Sequence, residues 1–273
     1  MPSAISISVL GDEFSFHHLA GIALFGADQH FVFSDNFDLM LEQLNRGETN
    51  YCILAVENSI AGDVPGNFQR IADNHLFIAN EVVLHISLCL GALPGIEVEN
   101  LEIIYSHQMG RKECTGFFDQ HSKVHFEPTS STASGAKMIA EGNLKNAGVI
   151  ASKTAIRHYR LNLLLSGVDD HADNRTRFFV LTRKSSIPQT TKKMLKASLL
   201  LQFHDNQPPG SIESIIKEGK ILMIRKLSEN KIYLETEFTE ISQFNHFLQT
   251  IPDNLCETEV IGLYATGEII REL

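Results

Sequence analysis

At 273 residues, with 43% hydrophobic and 21% charged side chains, the chain is long enough to bury one large core or two modest ones. Its formal net charge of -10 works against nonspecific binding to nucleic acid or to an anionic membrane, since both need a basic face. Met1 to Leu10 lacks the basic start and long apolar core of an export signal, no apolar run reaches membrane-span length, and Cys52, Cys89, Cys114 and Cys256 show no close paired spacing, so a cytoplasmic protein with reduced core thiols is expected.

Short apolar runs alternate with amphipathic stretches through residue 183, the pattern of an α/β sheet. Strands are predicted at 5–10, 51–56, 82–90, 103–105, 124–126, 148–151 and 178–181. Phe37, Met40, Leu41 and Leu44 keep the i, i+3, i+4, i+7 spacing of a helix face, with Asp35 or Asn36 placed to cap it and Gly47 just past its end. A further helix is predicted over 132–141, with Ser131 as its cap. Its first N–H groups and positive dipole end suit a carboxylate, and Ser131 and Thr132 add hydroxyls. The polar, aperiodic stretch 184–196 reads as a linker. Beyond it, strands at 197–203, 221–227, 232–238 and 259–264 and helices at 211–217 and 241–248 follow the β-α-β-β-α-β order of a ferredoxin-like module.

Two polar stretches adjoin predicted buried strands. Asn174-Arg175-Thr176-Arg177-Phe178 leads into one, and Glu57-Asn58-Ser59, with Gly62 three residues on, follows another. Ligands of open α/β sheets collect at strand ends, where Thr offers a donor and acceptors and Arg a fork that fits a carboxylate. The two stretches are expected to face each other across one cleft. Asn58, Ser59 and Gly62 also suit a plain turn that caps the next helix. Alternation along an extended segment points Arg177 away from the Thr176 face, leaving substrate contact and an ion pair with Glu57 or Asp173 both open. His121 and His125 flank a turn and have no third clustered ligand, so no metal site is expected. His17 and His18 fall on a predicted helix start, where packing or support of neighbouring site residues is expected of them rather than base catalysis.

In order along the chain, five motifs resemble those of prephenate dehydratases. They are Gly11, Ser15, Phe16, His18 and Ala20; Val56 to Gly62; Tyr105-Ser106-His107 with Cys114 downstream; Ser130-Ser131-Thr132-Ala133; and Thr176-Arg177-Phe178. The resemblance implies a two-lobed, periplasmic-binding-protein-like catalytic domain over residues 1–184 and an ACT domain of ferredoxin-like α+β fold over 196–273. It implies decarboxylative dehydration of prephenate to phenylpyruvate in phenylalanine biosynthesis, without metal or cofactor, and arogenate as a related substrate. Thr176 and Asn58 take the catalytic positions. Glu57, Ser59, Ser106, Ser131, Thr132, Arg177 and Phe178 take those around the substrate, Asn206 and Gly210 those around a phenylalanine effector, and the ACT domain would join subunits into a homodimer or homotetramer.

The chain also departs from the family pattern. Phe14 stands where a Gly is usual, Gln108-Met109 where Pro-Gln is, Ser87-Leu88 where a His pair is, and 227–230 does not keep the second effector motif. Met109 lacks the donor of a glutamine amide, which keeps a non-catalytic anion-binding or sensor protein of the same fold beside the enzyme reading.

Overall fold

The computed structural model describes residues 5–185, 194–204, 212, 216 and 219–271. They fall into two compact units, one of Met1–Val64, Val82–Phe178 and Ile269–Leu273, the other of Pro65–Glu81 and Phe179–Glu268. Along the chain the elements run β1 (Ser6–Leu10), α1 (Phe16–Phe25), β2 (His30–Ser34), α2 (Phe37–Arg46), β3 (Tyr51–Asn58), β4 (Gly62–Asp63), α3 (Asn67–Asp73), β5 (Phe77–His85) and β6 (Leu88–Ala92). After a 3-10 turn come β7 (Ile103–Ser106), α4 (Gln108–Glu113), α5 (Thr115–Gln120), β8 (His125–Pro128), α6 (Thr132–Gly142), β9 (Ala147–Ser152), α7 (Lys153–His158), β10 (Asn162–Ser166) and β11 (Arg175–Thr182). The remainder is β12 (Leu195–Phe203), β13 (Lys220–Lys226), β14 (Lys231–Phe238), α8 (Ile241–Thr250), β15 (Cys256–Ala265) and β16 (Ile269–Arg271).

The first unit holds two sheets. In one, β1 lies parallel between β2 and β3, and β11 follows on the far side of β3. The other has the order β10-β6-β9-β7-β8. Buried aliphatic runs make these strands: Ile7 and Val9 in β1, Cys52 through Val56 in β3, and Val149 through Ala151 in β9 are all shielded from solvent. The amphipathic spacing of α2 buries Met40, Leu41 and Leu44; Asn36 caps the helix by accepting from the Leu39 N–H, and Gly47 ends it at φ 78°. Gly11, at φ 85°, lets the end of β1 meet the start of α6. A Cβ there would lie 2.4 Å from the Ser131 Oγ.

Three predictions need correction. The run 82–90 is not one strand: β5 ends at His85 and β6 begins at Leu88, in different sheets, because the continuous apolar sequence hides a change of direction at Ile86-Ser87. Strand β11 starts three residues earlier than predicted, so Thr176 and Arg177 lie inside it. Strands β2 and β10 were not predicted: their apolar cores, Phe31-Val32-Phe33 and Leu163-Leu164-Leu165, are only three residues long, and the strands bury one residue and none.

The second unit carries an antiparallel sheet in the order β13-β14-β12-β15. Leu199, Leu201, Leu234 and Phe238 of this sheet pack against Phe244 and Phe247 of α8. Of the predicted helix 211–217 only Ile212 and Ile216 are described, joined by one i+4 hydrogen bond. All four cysteines are buried and unbridged.

This unit also buries a polar cluster. Lys196 Nζ lies 2.8 Å from Glu81 Oε1 and 3.7 Å from Glu235 Oε1, with both carboxylates almost fully buried. The Tyr233 and Tyr264 hydroxyls donate to Glu235, and the Ser198 hydroxyl contacts both phenols. One ammonium thus sits between two desolvated carboxylates. Lys196→Met should lower stability by about 3–5 kcal/mol, the typical effect of stranding a buried charge, as a lower denaturation midpoint in urea at unchanged slope.

Candidate active site

The first unit encloses a cavity of about 90 Å³, against the roughly 10–15 Å³ that one water needs on this measure. It admits a ligand larger than a few waters. Its walls come from the ends of β1 and β3, the starts of α1, α4 and α6, and one face of β11.

Strand alternation decides which part of Asn174 to Phe178 meets the cavity. Thr176 and Phe178 line it; Arg177 is buried on the opposite face, away from the wall. Arg175 forms an ion pair with Asp173, the arginine partly and the aspartate largely exposed.

Asn58 organises the strand ends. Its Oδ1 accepts from the Ile60 and Ala61 N–H groups, each at 2.8 Å. Its Nδ2 donates to Asn174 Oδ1 at 2.8 Å and to Thr176 Oγ1 at 3.1 Å. Because Thr176 accepts in that contact, its own O–H hydrogen is left for the cavity. Asn174, fully buried, passes the chain of bonds on by donating from Nδ2 to Glu113 Oε2 at 2.8 Å.

Glu113 is a buried carboxyl on the cavity wall. Burial pushes its pKa up to about 7; the Asn174 hydrogen bond opposes this and Asp169 adds to it. Two histidines share the wall. His17 Nε2 accepts from the Ala55 N–H at 3.3 Å, and its ring meets Phe178 edge-on. Burial, with a smaller push from His107, brings the His17 pKa down to about 3. His107 Nδ1 accepts from the Met109 N–H at 3.2 Å, and burial lowers its pKa as well. Both imidazoles are therefore neutral at pH 7, and these contacts leave His17 with Nδ1–H and His107 with Nε2–H.

Of the residues expected at the site, Asn58, Ser131, Thr132, Thr176 and Phe178 line the cavity. Ser131 is also the N-cap of α6, accepting from the Ser134 N–H. The others lie off the wall. Ser106 Oγ donates to the Ile150 carbonyl, and Ser59 clasps the two strand ends through the Asp173 carbonyl and the Arg175 N–H. Glu57 pairs across the β3–β4 turn with Asp63. Asn206 and Gly210 lie outside the described residues. His17, His107 and Glu113 are wall residues to which the sequence reading gave no site role. Glu113 follows Arg111 and Lys112 and reads as part of a solvated face, and His17 sits beside the His18 of the motif. His18 instead accepts from the Phe14 N–H and packs on Phe31 and Phe33.

The prephenate dehydratase family model matches residues 7–186. The chain belongs to that family. Arogenate dehydratase 2 of Petunia hybrida is 33% identical over 198 residues, which are 72% of this chain and 48% of that one. A bifunctional chorismate mutase/prephenate dehydratase of Buchnera aphidicola subsp. Schizaphis graminum is 28% identical over 236 residues, 84% of this chain and 60% of that one. The chain thus spans about half to three fifths of the length of these curated relatives. In fold it is similar to the crystal structure of prephenate dehydratase from Arthrobacter aurescens in complex with L-Phe, with a TM-score of 0.84 at 24% identity over 96% of this chain and 90% of that one.

The raised Glu113 pKa makes stability depend on pH. The folded state holds the Glu113 proton more tightly than the unfolded state, so this group's contribution is fully present below its ordinary value of 4.5 and is lost as pH rises to about 7. Glu113→Gln removes that dependence and leaves the histidines in place. From pH 4.5 to pH 8, the variant should gain on the order of 3 kcal/mol relative to the native protein, read as the difference in urea unfolding free energies.

Proposed function

We propose that the chain catalyses the decarboxylative dehydration of prephenate to phenylpyruvate in phenylalanine biosynthesis, with arogenate as a related substrate. The observation that carries this reading is the Thr176 hydroxyl, fixed as an acceptor toward Asn58 and left as a donor toward the cavity. In the reaction the bond from the ring carbon to its carboxylate breaks and CO2 leaves. The electron pair enters the ring, the C–O bond opposite breaks, and the hydroxide departs with one proton as water. Aromatisation drives the step, so the protein's task is to hold the ring and meet the charge that grows on the leaving oxygen.

Thr176 supplies the donor for that oxygen, and solvent returns the proton it passes on. A lone threonine is a weak acid, so its effect comes from position. The His17 and His107 N–H groups, with Thr132 and Ser131 at the start of α6, are available for the carboxylates. Neutral donors suit this chemistry: the ring carboxylate loses its charge in the transition state, so a strong cationic clamp would stabilise the ground state more. Thr176→Ala should lower kcat by on the order of 10² or more with folding intact, while Thr176→Ser keeps most of it. Phenylpyruvate formation, followed by its ultraviolet absorbance in alkali, checks both; an unchanged kcat in the alanine variant removes Thr176 from the mechanism.

Residues 1–184 form the catalytic part in this reading, and 196–273 an ACT-like part that joins two or four copies in the cytoplasm. Phenylalanine is expected to bind that part weakly. At 227–230 several polar groups are used within a hairpin turn or against β12: the Leu227 and Ser228 N–H groups donate to the Lys231 carbonyl, Ser228 Oγ to Asn230 Oδ1, and Asn230 Nδ2 to the Phe203 carbonyl. Little of the turn is left to close over an amino acid. Calorimetric titration with phenylalanine should give no micromolar binding; micromolar affinity with matching inhibition would overturn this expectation.

A further inference from the structure

The cavity wall has an unusual charge pattern for a site that takes anions. Among the described residues lining it there is no Lys or Arg, the two histidines are neutral, and Glu113 is the one carboxyl group. Glu113 Oε2 is held by Asn174, while no described partner holds the other oxygen. A ligand therefore meets a carboxyl group anchored on one side, backed by a buried amide, and facing donors that carry no charge.

We propose, resting on the dehydratase reading above, that Glu113 is a specificity-determining residue, favouring a cyclohexadiene substrate whose side chain ends in an α-amino acid over the matching α-keto acid. The keto acid brings two carboxylates and no cation. Seating it beside Glu113 puts like charges together in a low-dielectric space, and Glu113 must take up a proton to relieve them. The amino acid brings the same two carboxylates with an ammonium. That ammonium matches an anchored carboxylate and forms a charge-assisted hydrogen bond, and the side-chain carboxylate next to it remains for the neutral donors. Asn174 keeps the Glu113 carboxylate in place without neutralising it, which a lysine or arginine there would do.

The discriminating quantity is the ratio of kcat/KM for arogenate to that for prephenate, measured with the purified full chain in the native form and as Glu113→Gln and Glu113→Asp. The native ratio should favour arogenate by about tenfold or more, fall by at least about tenfold in Glu113→Gln, and be kept in part by Glu113→Asp, as loss of one charged hydrogen bond predicts. A purely structural role would lower both substrates together and leave the ratio where it was. In the native protein the ratio should also rise with pH through about 7 as Glu113 ionises. His17 and His107 share the cavity and are neutral there already, and Asp169, the charged neighbour that raises Glu113, acts in both complexes. Should Glu113→Gln fail to fold, the native and Glu113→Asp ratios decide: a native preference for prephenate, or no fall of the ratio in Glu113→Asp, overturns the proposal. A native preference for prephenate, or a ratio unchanged in Glu113→Gln, overturns it while leaving the dehydratase reading intact. Turnover of neither substrate ends that reading and this proposal together.

Discussion

An asparagine amide has two hydrogens to give and two lone pairs to accept with, and Asn58 uses all four inside the protein. Its oxygen takes the two N–H groups that turn the chain at the end of β3, and its nitrogen faces β11. The turn therefore decides which end of the amide β11 meets. A flipped amide would set its oxygen against Asn174 Oδ1 and leave two N–H groups unpaired, each at about 1–3 kcal/mol. Held this way, it presents Thr176 with a donor and leaves the threonine hydrogen available to the cavity that Thr176 lines. The same constraint runs outward: Asn174 must accept with its oxygen, so its nitrogen needs an acceptor, and Glu113 is that acceptor.

A wall of neutral donors is consistent with this arrangement. The chain carries a formal charge of -10, and a cationic wall would be the simple way to draw an anion in. Here the wall's donors hold no charge: two imidazoles whose second nitrogen is tied to a backbone N–H, and hydroxyls at a helix start. Burial does the tuning, because desolvation disfavours every charged form. It keeps His17 and His107 neutral and lifts Glu113 toward neutrality at once. The two effects have the same origin, so the wall cannot be made much drier without also discharging its carboxylate.

The parts of this structure that were readable in the sequence are those set by local periodicity and chemistry. The α2 face and its Gly47 stop follow from spacing alone, as does the Ser131 cap of α6, while spacing narrowed the α2 cap to Asp35 or Asn36 and the structure uses Asn36. Alternation along β11 correctly separated Thr176 from Arg177, although the sequence left open what Arg177 does. What could not be read depended on tertiary burial. Glu113 sits in a stretch with Arg111 and Lys112 that looks solvated, and only the packing of α4 removes it from water. Ser59 and Ser106 are polar residues at strand ends, as binding residues would be, yet their hydroxyls are taken up by backbone groups. Residue type at a strand end indicates that hydrogen bonds will be made there and not with what.

The segment from Ser106 to Cys114, where the chain departs from its family's pattern, illustrates how such a change can be absorbed. Met109 brings its side chain to the wall and contributes no donor, but its backbone N–H binds His107 Nδ1 and so sets which imidazole nitrogen carries the hydrogen. Gly110, next to it, allows the helix to approach Ser106, whose Oγ would lie 2.6 Å from any Cβ at that position. The helix start is thereby pressed against β7, and the last turn of α4 brings Glu113 to Asn174. Polar groups that the side chain at 109 does not provide reach the wall from either side of it, His107 before and Glu113 after. These replacements differ in kind from an amide, since one is a fixed neutral donor and the other an acceptor whose charge changes near neutral pH. The wall therefore carries a titratable group four residues from a position where an amide would have stayed neutral at every pH.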